Sequence, residues 1–153
     1  RWAVAVGTLA VGLLASTAAV MWLALWVKPP ERAAMVLVGA GYETNLLVRH
    51  NLPGWRTVER LAADKPREAW TAVAPPLRLR IGDAWDRDLD AADAPVVVVY
   101  LALHGGVDDR GPYLLPDDAT DLDADDQRLR VADVIARLGR LPAARTKVLI
   151  LDA

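Results

Sequence analysis

An α/β fold with a mainly parallel sheet, preceded by a single transmembrane helix, is what this sequence predicts, and three observations carry the prediction. Two apolar runs, residues 95–103 and 147–151, the second opening on Lys147, read as buried strands. Between them Val131, Val134, Ile135, Leu138 and Leu141 recur at helical spacing. Near the start, residues 2–27 carry no charged side chain at all.

That first segment sets the membrane expectation. A helix of this length spans roughly 39 Å against a hydrocarbon core of roughly 30 Å. Trp2 lies at one end and Trp22 and Trp26 at the other, as in an aromatic belt. Lys28-Pro29-Pro30 then stops the helix. A secretory signal is the alternative, but its apolar region is normally about half as long. The first residue is Arg1, not Met, so residues are expected upstream and the orientation stays open. Residues 28–32 read as a linker, and residues 33–153 as the N-terminal part of a globular domain.

Residues 33–38 are apolar and end in Gly39-Ala40-Gly41, which suits a central parallel strand and a tight turn. A nucleotide loop is not supported, because no third glycine and no Lys-Ser/Thr follows. Residues 42–54 read as irregular, with a Pro53-Gly54 turn signal. They contain His50, a lone loop histidine of the kind usually found at the surface. Trp55, Val58, Leu61 and Ala62 share one face of a short amphipathic helix over 55–63. Residues 64–76 hold three prolines and read as loop. Residues 77–81 alternate apolar and Arg, as on a half-exposed or edge strand. Residues 85–89 suit one or two helical turns.

The run Val96-Val97-Val98-Val99-Tyr100 is the strongest strand of the chain and leads straight into His104-Gly105-Gly106. Ligands of open α/β sheets bind beyond the carboxyl ends of the strands, so His104 is placed for chemistry. Residues 117–126 are acidic. They read as a solvated loop, with Ca²⁺ binding as the alternative, since that ion needs clustered oxygens. The EF-hand spacing is absent. Asp125 or Asp126 can cap the helix that follows, and Gly139 and Pro142 end it. Strand, crossover helix and strand imply parallel neighbours, which brings both carboxyl ends to one rim.

Composition excludes several classes. A net charge of -2, with both signs mixed, gives no footprint for nucleic acid. There is no cysteine, hence no disulfide framework and no thiol chemistry within these 153 residues. No Gly-x-Ser-x-Gly elbow occurs.

The tips of the two strands, His104-Gly105-Gly106 and Asp152-Ala153, together with Gly111-Pro112-Tyr113-Leu114-Leu115-Pro116-Asp117-Asp118 between them, resemble the caspase-like cysteine peptidases, the clan of caspases, metacaspases and their bacterial relatives. The likeness is good over residues 95–153 and looser over 33–153. It implies a partial caspase-like sandwich in which the residue after Ala153 is the nucleophilic cysteine. It makes His104 the general acid/base. The N–H of Gly105, or of the residue after Ala153, is a candidate oxyanion-hole donor. Asp152 is expected to line a pocket for the basic side chain of an Arg or Lys before the cut bond. The implied partners are a polypeptide substrate and a membrane, with no nucleic acid. No cofactor or metal site is expected, although the resemblance allows Ca²⁺, because some metacaspases depend on it. Two alternatives stand beside this reading. One is an inactive caspase-like interaction module. The other is a metal-dependent α/β hydrolase, which requires Asp117, Asp118 and Asp152 to converge on one ion.

Overall fold

A computed structural model of the chain describes residues 33–63 and 70–153. The predicted membrane span at 2–27 and the linker at 28–32 lie outside the described residues. Among the described residues no helix is long and apolar enough to cross a membrane. In chain order the elements are β1 (Ala33–Gly39), α1 (Leu52–Ala63), β2 (Trp70–Ala72), β3 (Leu77–Arg78), β4 (Val96–Ala102), β5 (Gly105–Asp108), β6 (Gly111–Leu114), β7 (Leu129–Arg130), α2 (Val131–Gly139) and β8 (Thr146–Asp152), with a 3-10 turn at Asp125–Gln127 before β7.

The protein is α/β. Its main sheet runs β2-β1-β4-β8, with β3 also paired to β1, and every pair in it is parallel. β2 meets the first residues of β1 and β3 the last, so the two short strands follow one another along β1. The remaining strands form a small antiparallel sheet, β5-β6-β7.

Burial on both faces explains the uniformly apolar β1, and β4 is buried on one face and half-buried on the other. By contrast β8, expected to be buried, leaves Val148, Ile150 and Leu151 exposed, because among the described residues it is paired on one side only. Val36, Val38, Val97, Val99, Leu101 and Leu103 share one core with Val134 and Leu138 of α2 and with Trp85 and Leu89. Met35, Leu37 and Ala102 face the other way, onto Val58 of α1, with Trp55, Leu61 and Ala62 packed around them. Each such side chain contributes roughly 1.5–3 kcal/mol by leaving water. Helix α1 rests so closely on β1 that a Cβ at Gly39 would lie 3.1 Å from Val58 Cγ2 and 3.2 Å from Trp55 Cε3. The glycine after the apolar run thus serves helix–sheet contact.

Several expectations need correction. Helix α1 begins at Leu52, before the predicted start, so Pro53 and Gly54 lie in its first turn and not in a loop. Proline suits a first turn, where its missing N–H is no loss. The Asn51 side chain caps it, its Oδ1 accepting the Gly54 N–H at 3.3 Å. The 64–76 stretch hides strand β2, three residues that are too short to show a period. Residues 85–89 form successive turns closed from Arg87 N–H to Ala84 O and from Leu89 N–H to Asp86 O, without an α-helix.

Neither Asp125 nor Asp126 caps α2. Two residues of β-ladder intervene, Arg130 occupies the cap position, and no side chain caps it. Asp125 instead pairs with Arg110 and Arg130. Ile135, expected on the apolar face, is 58% exposed. The stripe that meets the sheet is the narrower Val131, Val134, Leu138 set, continued by Leu141.

Candidate functional site at the carboxyl rim

β4 is paired on both sides, by β1 and by β8, and its last residue stands opposite Asp152. The Leu103 N–H adds one more bond, donated to the Asp152 carbonyl at 3.2 Å. His104 follows immediately. The expected adjacency therefore holds: His104 and Asp152 lie on neighbouring parallel strands at one rim of the sheet.

The His104 imidazole is held by two groups from the loop after β1. Its Nε2 lies 2.7 Å from the Arg49 carbonyl oxygen. A carbonyl can only accept, so Nε2 carries a proton, and in the neutral ring Nδ1 is the nitrogen left with a lone pair. The Tyr42 ring stacks on the imidazole with centroids 4.8 Å apart and planes 29° apart. His50, one residue beyond Arg49, is exposed and takes no part.

Gly105 opens β5. Leu115 donates its N–H to the His104 carbonyl at 2.8 Å, which makes His104 and Leu115 the hydrogen-bonding pair of the ladder. By the alternation of antiparallel ladders, Gly105 and Leu114 are then a non-hydrogen-bonded pair, and the Gly105 N–H is directed out of the ladder. A side chain could not replace this glycine, because its Cβ would lie 2.6 Å from the Tyr113 carbonyl oxygen.

Asp152 is exposed, and its Oδ2 accepts a hydrogen bond from the Tyr100 hydroxyl at 2.7 Å. Burial, first, and then this carboxylate push the Tyr100 phenol up from 10.0 to about 12. The proton is bound more tightly in the folded state, so the contribution is complete below pH 10 and is lost as pH rises from 10 towards about 12. Asp152→Ala is expected to let Tyr100 ionise at lower pH, seen by ultraviolet titration. An unchanged Tyr100 titration would show that the carboxylate has no hold on the phenol.

The acidic segment does not behave as one solvated loop. Asp117 is 4% exposed. Its Oδ1 accepts the N–H groups of Gly41 at 3.1 Å and Tyr42 at 2.6 Å, while Arg78 Nε donates to Oδ2 at 2.8 Å. Arg78 also pairs with Glu43. Asp118 Oδ1 accepts the Ile81 N–H at 2.8 Å. Among the described residues no three His, Cys, Asp or Glu side chains are grouped to hold a metal ion. The convergence of Asp117, Asp118 and Asp152 that a metal-dependent hydrolase requires is therefore not formed.

Sequence reasoning missed Tyr42, the Arg49 carbonyl, Arg78 and the buried role of Asp117. One signal was present. Tyr42 follows two glycines at the end of a buried strand, a place where an aromatic side chain can fold back onto the rim. A cavity of about 380 Å³ opens between the loops at 44–47 and 117–120, and His104, Gly105 and Asp152 are not among its lining residues. No family model matches the chain, and no curated protein and no solved structure is significantly similar to it.

Proposed function

We propose that residues 33–153 are the N-terminal part of a caspase-like cysteine endopeptidase domain, tethered to a membrane through residues 2–27. The observation that carries the reading is His104: an imidazole at the carboxyl end of a central strand, next to the end of β8, with Nε2 fixed on a carbonyl and Nδ1 left to take a proton. The nucleophile is the cysteine expected directly after Ala153. The parallel register sets Ala102 beside Asp152, and two further steps along each strand bring His104 level with that next residue.

In this reading the thiolate attacks the scissile carbonyl carbon, and the C–N bond breaks in the collapse that follows. The imidazole, which has taken the thiol proton, gives it to the leaving amine. The outward N–H of Gly105 donates to the oxyanion while it carries charge. Water then hydrolyses the thioester, releases the acid and restores the thiol.

Asp152 selects the side chain before the cut bond. Tyr100 occupies Oδ2 and leaves Oδ1 for an incoming cation. A carboxylate at this place favours Arg or Lys and repels Asp. The longer protein is expected to cleave matched peptides after Arg or Lys far faster than after Asp or Ala. Asp152→Ala should lower kcat/KM for the Arg peptide by about 10- to 100-fold, the worth of roughly 1.5–3 kcal/mol for a hydrogen bond to a charged group. A preference for Asp, or one unchanged by Asp152→Ala, rules the pocket out. The inactive interaction module shares this architecture and differs in one observable: a residue other than cysteine after Ala153, with no hydrolysis of any of the four peptides.

A further inference from the structure

Between the end of β4 and the end of β6 one ladder bond is replaced by a side chain. Leu115 donates its N–H to the His104 carbonyl. The reciprocal bond, from the His104 N–H to the Leu115 carbonyl, would complete the pair. Instead the His104 N–H donates to the Tyr42 hydroxyl at 2.9 Å, and that hydroxyl donates to the Leu115 carbonyl at 2.6 Å. The phenol oxygen is thus spliced into the ladder at the residue that bears the imidazole. The same ring stacks on that imidazole.

Tyr42 is itself held firmly. Its side chain is completely buried, and its φ of 57° lies in the left-handed region that a bulky residue rarely adopts. Such a conformation persists where the surroundings over-determine it. Here the Tyr42 N–H is donated to the buried Asp117 carboxylate, and the hydroxyl is used as both donor and acceptor. Burial raises the phenol well above its ordinary pKa, which keeps the hydroxyl proton available for Leu115.

We propose that Tyr42 is a positioning residue for His104: its hydroxyl fixes the backbone of the histidine and its ring fixes the imidazole, so that the side chain stays in one orientation with the proton on Nε2. The inference rests on the reading of His104 as the proton-transfer group. An imidazole free in water samples several rotamers and both tautomers, and each unproductive state lowers the fraction ready to act.

The test is nitrogen-15 NMR of the imidazole rings in the full chain, at a pH where both are neutral. The sequence has 2 histidines, so the exposed His50 serves as the internal reference. In the parent chain His104 is expected to give the pattern of a single Nε2–H tautomer, and His50 an averaged one. Tyr42→Phe removes the hydroxyl and keeps the ring; Tyr42→Leu removes both. Both should move His104 towards the averaged pattern, Tyr42→Leu further. The backbone amides of β4 and β8 show whether the sheet is intact, and where Tyr42→Leu does not fold, Tyr42→Phe decides. An averaged His104 in the parent chain overturns the proposal. So does a His104 pattern unchanged in the folded variants, and so does loss of the sheet in both, which would make Tyr42 a core residue alone. The peptidase reading fails separately, on hydrolysis by the longer protein.

Discussion

Asp117→Ala is expected to lower the unfolding free energy by about 3–5 kcal/mol, the usual cost of removing one partner of a buried ion pair. Three donors lose their acceptor at once: the Gly41 and Tyr42 N–H groups and the Arg78 guanidinium. The Arg78 side chain is 33% exposed and recovers part of its hydration, so most of the loss falls on the two backbone groups. Each buried, unpaired donor costs about 1–3 kcal/mol. At roughly 4–8 °C per kcal/mol for a domain of this order of size, the melting temperature should fall by roughly 12–40 °C. Asp117→Asn keeps an oxygen for the two N–H groups and loses the charge, so it should cost less. Urea denaturation followed by far-ultraviolet circular dichroism checks both. An Asp117→Ala variant within about 1 kcal/mol of the parent would mean that the carboxylate does not organise the turn after β1.

His104→Ala, made in the protein extended past Ala153, is expected to reduce kcat/KM for peptide hydrolysis by about 10²- to 10⁴-fold, the typical weight of a positioned acid or base. The loss should fall on kcat, because the imidazole acts on protons in flight and not on substrate affinity. The side chain is only partly buried, so the melting temperature should change far less than in Asp117→Ala. Hydrolysis that survives His104→Ala at the parent rate would remove His104 from the mechanism.

The two expectations differ in how visible they were in the sequence. His104 and Asp152 could be found because each ends an apolar run, and because a strand–helix–strand order places successive strand tips side by side. That logic needs only the unbroken apolar runs of β4 and β8 and the helical spacing of the apolar residues in α2. Asp117 could not be found in that way. It stands in an acidic run, and only the fold shows that the Gly41–Tyr42 turn closes over it, across 76 and 75 positions of sequence. Arg78 was legible as half-exposed, but its partner was not. β2 was hidden for a different reason: three residues beside β1 leave no pattern, and their place is set by the ladder alone. The misplaced cap of α2 has the same origin, since a two-residue strand lies between the acidic turn and the helix.

The asymmetry of the main sheet bears on how the rim opens. β4 is hydrogen-bonded on both flanks, whereas among the described residues β8 is bonded on one, and Ile150, Leu151 and Asp152 at its end are exposed. Amide hydrogens on strands bonded on both sides exchange with solvent through the rarest and largest openings, and those on outer strands through smaller, commoner ones. Within these 153 residues His104 is therefore rooted in a strand whose amides are expected to exchange slowly, as are those of β1, and Asp152 in one expected to exchange faster. A local opening that peels β8 from β4 carries Asp152 away from Tyr100 and leaves His104 stacked on Tyr42. Within these 153 residues the histidine and the aspartate are therefore expected to open separately, Asp152 with the outer strand and His104 with the inner one.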